Sequence, residues 1–123
     1  MSDKVAQGLK RIVRREPSYR MEAYSFLLEA LEYTLQELDK PRHVSGQELL
    51  DGIRRYAIRK FGPTSRMVFE HWGVRVTEDF GRMVFLLVEQ GILTKTESDS
   101  IEDFANGFDF KKAFEDEYSW TSD

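Results

Sequence analysis

The helical spacing of apolar residues between 21 and 39 is the feature that most constrains the fold. Six apolar residues recur there every three or four positions, namely Tyr24, Leu27, Leu28, Leu31, Leu35 and Leu38. This spacing places them on one face of an α-helix. Phe26, Ala30 and Tyr33 widen that face, so we expect the helix to be buried on more than one side. Asp39-Lys40-Pro41 should end it, because proline cannot continue a helix.

Local start and stop signals predict further helices. The expected ranges are 3–15, 45–61, 64–72 and 77–90. Ser45 and Glu48 form a capping box, in which each side chain bonds to the backbone of the other residue. Gly62 suits a left-handed C-cap, and Pro63 suits the first turn of the next helix.

The helix over 77–90 is the most apolar of the five. Thr77 is its expected N-cap, and Gly91 stands just past its end. Phe85 and Leu86 make the helix apolar nearly all round, which indicates a central core helix.

The last third of the chain mixes acidic and aromatic residues. Residues 92–96 suit a short strand, and 99–106 and 110–116 suit short helices. We expect four phenylalanines to lie back on the helical core, namely Phe104, Phe108, Phe110 and Phe114. Alternatively, Tyr118 and Trp120 project and anchor a partner. The fold class expected is mainly α, with five to seven helices in one domain over 1–123 and at most a short two-stranded wing.

Composition narrows the function classes. The 123 residues fit one domain. The chain has no cysteine, which excludes disulfides, thiol catalysis and cysteine-ligated metal sites. The N-terminus shows no signal peptide, and the longest apolar run, 83–88, is far shorter than a membrane span. We therefore expect a cytoplasmic protein without membrane contact.

Charge is distributed unevenly along the chain. Residues 1–66 hold 13 Lys/Arg and 9 Asp/Glu, whereas residues 67–123 hold 5 and 13. The favoured interpretation is that the two halves attract each other. The alternative is a polyanion-binding surface formed by Arg54, Arg55, Arg59, Lys60 and Arg66, together with the basic face of the helix over 3–15.

The segment from the expected helix over 64–72 through the helix over 77–90 to Leu93 resembles a winged helix-turn-helix module. Trp72-Gly73-Val74 closes one helix, Thr77 begins the next, and the apolar residues Phe80, Val84 and Leu87 precede Gly91 and Ile92. The resemblance implies that the second helix faces a ligand, and in DNA-binding members its first residues contact DNA. Here those residues include two acids that would oppose phosphate. We therefore expect this face either to bind a protein partner through Glu78, Asp79 and Arg82 or to be structural, with Tyr118 and Trp120 as further candidates for partner binding.

Catalysis has little support in the sequence. His71 adjoins Glu70 and Trp72, and adjacent helical residues do not face each other. A pocket around His71, Trp72 and Tyr24 is the weakest hypothesis. The sequence nominates no catalytic, cofactor-binding or metal-binding residue, so the expected cofactor set is none.

Several short motifs also resemble a small bacterial family of conserved hypothetical proteins of planctomycete and verrucomicrobial type. They are His71-Trp72-Gly73-Val74, Thr77-Glu78-Asp79-Phe80-Gly81, Lys95-Thr96-Glu97, Asp103-Phe104 and Asn106-Gly107-Phe108-Asp109-Phe110. The resemblance implies a bacterial cytosolic setting and carries no activity, cofactor or partner. The function expected is a non-enzymatic protein-interaction or regulatory module, and the alternative is a nucleic-acid-binding protein that uses the helices at 3–15 and 45–61.

Overall fold

The computed structural model describes residues 3–94, 101–105 and 107–116, which are mainly helical. These residues form five α-helices, α1 (Asp3–Arg15), α2 (Met21–Gln36), α3 (Gly46–Phe61), α4 (Ser65–His71) and α5 (Thr77–Glu89). Two 3-10 turns cover Gly62–Thr64 and Ile101–Phe104, and a π-helical turn covers Lys112–Asp116. The prediction of a mainly α fold with at least five helices is confirmed.

The helix boundaries differ from the predicted ones by one residue at several ends and by three at the end of α2. Helix α2 ends at Gln36 and not at 39, because the amides of Glu37 and Leu38 each donate to the carbonyl three residues earlier, at 3.2 Å. This closer spacing tightens the last turn and stops the helix.

At the start of α5, Thr77 is the first helical residue and not the cap. Two amides that precede the helix, those of Arg75 and Val76, donate to the carboxylate of Asp79 at 2.9 and 3.2 Å. The Thr77 hydroxyl instead donates to the carbonyl of Phe104 at 2.6 Å and accepts from the amide of Gly107 at 3.0 Å. Thr77 therefore fixes the chain around 104–107 on α5.

The strand predicted over 92–96 does not form at 92–94. The amides of Ile92 and Leu93 both donate back to the carbonyl of Leu87, at 2.9 and 3.3 Å, so they close α5 and cannot bond to a strand partner. Residues 95 and 96 lie outside the described residues. Within 3–94, 101–105 and 107–116 there is no strand, and hence no wing.

All five α-helices contribute to one cluster of buried apolar residues. Helix α1 packs on α2 and α5, and α2 packs on α3. As predicted, Phe104, Phe110 and Phe114 are buried in this core, and Phe108 packs against it half-buried. Tyr118 and Trp120 lie outside the described residues.

Phe104 packs closely on two helices because each presents a glycine. A Cβ atom on Gly46 of α3 or on Gly81 of α5 would lie 3.0 Å from the Phe104 side chain. Because these glycines have no side chain, the 3-10 turn Ile101–Phe104 packs between α3 and α5. The Phe104 side chain then forms part of the surface between the two helices.

None of the described helices is both long and apolar enough to cross a membrane.

Candidate functional site

An apolar groove of about 610 Å³ opens between α2, α5 and the segment that leads into α3. Its apolar lining includes Leu31, Leu35, Val84, Phe85, Val88 and Leu93. Leu31 and Leu35 come from successive turns of the last half of α2, and Val84, Phe85 and Val88 come from successive turns of α5. The groove is therefore walled by two helices, with Phe104 and Gly81 also lining it.

The rim of this groove exposes two large apolar side chains. Leu35 is 40% exposed and Phe85 is 46% exposed. Isolated exposed apolar residues are common on proteins, but apolar residues that line one concave surface are typical of a binding site.

The polar side chains at the groove are few. Arg42 forms two hydrogen bonds to the carboxylate of Glu48, at 2.7 and 3.0 Å. The hydrogen bond from Arg42, reinforced by the backbone amide of Ser45, lowers the pKa of Glu48 to about 2. Glu48 is therefore ionised at neutral pH and neutralises Arg42. Among the described residues, the groove-lining Glu102 has no ion-pair partner, which leaves the rim acidic.

Sequence reasoning missed this groove because it assigned the same residues to the core. The apolar stripe of α2 does reach the core through Tyr24 and Leu27, but its last half, which includes Leu35, faces the groove. Helix α5 is not buried all round as expected, since Phe85 is exposed. In the sequence, the groove was indicated only by the width of the apolar stripes of α2 and α5, which exceeds what one packing face needs.

The predicted partner-binding residues of α5 divide into two kinds. Glu78 is half-buried, two turns before Phe85, and forms no ion pair with any other described residue. Asp79 is only 7% exposed and its carboxylate is bonded inside the protein. The Arg82 side chain is 58% exposed but pairs with Asp79. Among the described residues, the Glu78 carboxylate accepts only from the Thr77 hydroxyl, at 3.5 Å, whereas Asp79 holds local structure.

Asp79 also joins α5 to the loop before α2. The hydroxyl of Tyr19 donates to the Asp79 carboxylate at 2.5 Å, and Arg82 donates to both Asp79 and the Tyr19 oxygen. Burial, with the hydrogen bond to Asp79, raises the pKa of Tyr19 to about 12. Tyr19 therefore stays neutral and acts as a hydrogen-bond donor at physiological pH.

Tyr19 and Tyr24 offer a matched test of buried hydroxyl groups. Tyr24 is fully buried, and its hydroxyl has no hydrogen-bond partner among the described residues. We expect Tyr24→Phe to raise the free energy of unfolding by about 1 kcal/mol, because it removes an unsatisfied polar atom. We expect Tyr19→Phe to lower it by about 1–3 kcal/mol, because it removes a hydrogen bond to a carboxylate. Urea denaturation measures both changes, and equal losses in the two variants would contradict this assignment.

The predicted polyanion-binding residues are mostly paired within the protein. Arg54 and Arg55 bond to Asp51 at 3.0 and 2.8 Å, and Arg55 also pairs with Glu37. Lys60 bonds to Glu29 at 2.7 Å, which raises the pKa of Lys60 and lowers that of Glu29.

Two predicted residues remain. Arg66 bonds to Glu70 and Glu115 at 3.0 and 3.3 Å. Arg59 is exposed and pairs with no acid in the described part of the chain. The expected attraction between the basic and acidic halves is therefore met at Arg66, whereas Arg54, Arg55 and Lys60 pair with acids of their own half.

The hypothesis of a pocket around His71 and Tyr24 has no support in the geometry. His71 is exposed at the end of α4, whereas Tyr24 is fully buried. Burial raises the pKa of Tyr24, so its hydroxyl is a poor general base. Within the described residues, no group of three or more His, Asp or Glu side chains is arranged to hold a metal ion.

Comparison with known proteins adds no relative. No protein-family model matches the chain, and no curated protein or solved structure matches it significantly.

Proposed function

We propose that this protein is a non-enzymatic interaction module that binds an amphipathic helix of a partner protein in the groove between α2 and α5. The observation that carries the proposal is the joint exposure of Leu35 and Phe85 on the rim of one apolar groove of about 610 Å³. Helices that bind in grooves insert apolar residues spaced at i, i+3 or i+4, and i+7. Two walls of helical side chains suit such ridges.

The openness of the groove favours a peptide over a small molecule. A small-molecule site encloses most of the surface of its ligand. The side chains that form such a site therefore face into a cavity and expose little of their surface to water. Here Leu35 and Phe85 stand on the rim with nearly half of their surface in water. Their burial needs a ligand that extends beyond the groove on both sides, as a helix does.

The charges around the groove favour a partner with basic residues next to its apolar anchors. Glu78 lies two turns before Phe85 on α5 and Glu89 lies one turn after it, and Glu102 lines the groove. None of these three carboxylates pairs with a cation in residues 3–94, 101–105 or 107–116. The nearby Arg42 is neutralised by Glu48. Complementary charges increase the association rate and select among partners.

Synthetic peptides test this proposal directly. A labelled amphipathic helix with leucines at i, i+4 and i+7 and lysines on its flanks is titrated with the protein, and fluorescence anisotropy is recorded. We expect Phe85→Ala or Leu35→Ala to weaken binding about 10- to 100-fold, because each variant forfeits about 1–3 kcal/mol of apolar burial. The matched controls are Met67→Ala and Val76→Ala, which remove exposed apolar groups outside the groove and should leave the affinity unchanged.

A second peptide separates the apolar and electrostatic parts of the proposal. It keeps the leucines and replaces the flanking lysines with glutamates, and we expect it to bind at least about fivefold more weakly. Equal binding of both peptides would remove the charge argument. Binding of an apolar dye with no binding of either peptide would indicate a small-molecule site. Phe85-dependent dimers in sedimentation experiments would instead make a second copy of the chain the occupant.

A further inference from the structure

Helix α1 carries a basic face whose charges are not neutralised within the protein. Its five cations are Lys4, Lys10, Arg11, Arg14 and Arg15, and all five are exposed. In the part of the chain that the structure describes, none of them pairs with an acid. Arg11 does donate to the side-chain oxygen of Gln90 at 2.9 Å, but this partner is neutral and leaves the charge uncompensated.

The orientation of this face is fixed by the core. Gly8, Leu9 and Ile12 are buried against the rest of the protein. Because the apolar side of α1 is occupied, the helix has no apolar face to insert into a lipid bilayer, as an interfacial helix would require. The basic side is held towards the solvent.

The cations of α3, unlike those of α1, are mostly paired with acids, and this difference favours α1 as the polyanion site. Of the four α3 cations at 54, 55, 59 and 60, three pair with acids of α2 or α3. A phosphate would have to compete with those acids on α3, whereas on α1 it would displace only water and counterions. We infer that α1 binds the phosphate backbone of duplex nucleic acid, without reading its sequence, and that α3 does not take part.

The chemistry of α1 favours a duplex over a single strand. Single-strand binding relies on aromatic side chains that stack on bases, and α1 contains no aromatic residue. Its cations recur in adjacent pairs, Lys10 with Arg11 and Arg14 with Arg15. Four residues of helix rise about 6 Å, which lets successive pairs meet different phosphates of one strand.

The acids near α1 limit the affinity of this helix for nucleic acid. Asp3 begins the helix, Glu16 follows it, and Glu89 adjoins the Gln90 that bonds to Arg11. Repulsion from these three carboxylates and from the acidic half of the chain keeps the affinity low. The expected dissociation constant at physiological salt is therefore in the non-specific range, on the order of 10⁻⁵ M.

Two variants of equal net charge test the inference. The first is Lys10→Gln/Arg14→Gln/Arg15→Gln on α1, and the second is Arg54→Gln/Arg59→Gln/Lys60→Gln on α3. Each is titrated against a labelled duplex of about 20 base pairs, with anisotropy recorded at several salt concentrations. We expect the α1 variant to bind at least about tenfold more weakly and its salt slope to fall by about 2.7, or about 0.9 for each phosphate that the variant no longer neutralises. The α3 variant should bind within about twofold of the parent.

Circular dichroism verifies that both variants fold, and the single exposed change Arg14→Glu repeats the test if the triple α1 variant does not. Equal weakening by the α1 and α3 variants would overturn the inference, as would a lack of binding at low salt. Tighter binding to a single strand of the same length would overturn the choice of a duplex. Binding only to anionic phosphatidylserine vesicles would overturn it in favour of membranes. Phe85→Ala leaves α1 intact, so failure of the groove proposal is separable from failure of this one.

Discussion

Replacing Phe69 with alanine is expected to lower the free energy of unfolding by about 3–5 kcal/mol. Phe69 is fully buried in α4, a helix of only seven residues. Its ring centroid lies within 6.4 Å of those of six other aromatic residues, namely Phe26, Phe61, Trp72, Phe80, Phe110 and Phe114. These rings come from α2, α3, α5 and the last described segment, and from the end of α4 itself. The cavity left by alanine would therefore reduce packing across most of the fold.

The size of this effect matters because the whole domain is stabilised by only about 5–15 kcal/mol. Guanidinium denaturation with fluorescence detection measures it as a lower midpoint with an unchanged slope. Met67→Ala is the matched control, because Met67 lies on the same helix and is 69% exposed, so its change should stay within about 0.5 kcal/mol. A loss below about 1 kcal/mol for Phe69→Ala would show that the aromatic cluster is not the centre of the core.

The parts of the fold that depend on neighbouring residues follow from the sequence. The capping box at the start of α3 is present, with the Glu48 amide donating to the Ser45 hydroxyl at 3.1 Å and the Ser45 amide donating to Glu48 at 2.9 Å. Its partners are three residues apart, so the local pattern specifies the interaction. The positive φ of Gly62 was also predictable, because a glycine directly after a helix is a local signal for a C-cap. The start of α5 was misjudged by one residue because Thr77 has a competing bond to Phe104, 27 positions away.

The candidate site could not be predicted, because it depends on which part of an apolar stripe the tertiary structure leaves uncovered. Leu27 and Leu35 both belong to the predicted α2 stripe, yet Leu27 is 1% exposed and Leu35 is 40% exposed. The difference arises from neighbours that are distant in sequence. The sequence shows that apolar residues exceed one packing face, but only the packing of α2 against α1 and α3 shows where the excess lies.

The same limit applies to charge. Arg55 pairs with Glu37, 18 residues away, and Lys60 with Glu29, 31 residues away. Neither pairing follows from helical spacing. Only the pairs of Arg54 and Arg55 with Asp51, at i,i+3 and i,i+4, follow from spacing along α3. The acids that α2 and the residue after it supply to α3 become visible only in the fold.

Replacing Gly73 with alanine is the second large expected effect, and Gly91 provides its control. Both glycines lie just past the end of a helix with positive φ, +93° at Gly73 and +73° at Gly91. Both helix ends share the hydrogen bond that follows the glycine. The amide after each glycine donates to a carbonyl five residues back, Val74 to Phe69 and Ile92 to Leu87, at 2.9 Å in each case. Alanine at either position costs about 1–2 kcal/mol of backbone strain.

The two sites differ in what a new methyl group would meet. At Gly91 a Cβ atom has no heavy atom within 4 Å, whereas at Gly73 it would lie 2.3 Å from the carbonyl oxygen of Ser18. That oxygen belongs to the backbone and cannot rotate away, because the Arg20 amide anchors the same loop to the Trp72 carbonyl at 3.0 Å. We expect a further loss of about 1–3 kcal/mol at Gly73, or about 2–5 kcal/mol in total against about 1–2 at Gly91. Urea denaturation of the two variants isolates the steric part as their difference, and equal losses would mean that the 18–20 loop does not pack on the end of α4.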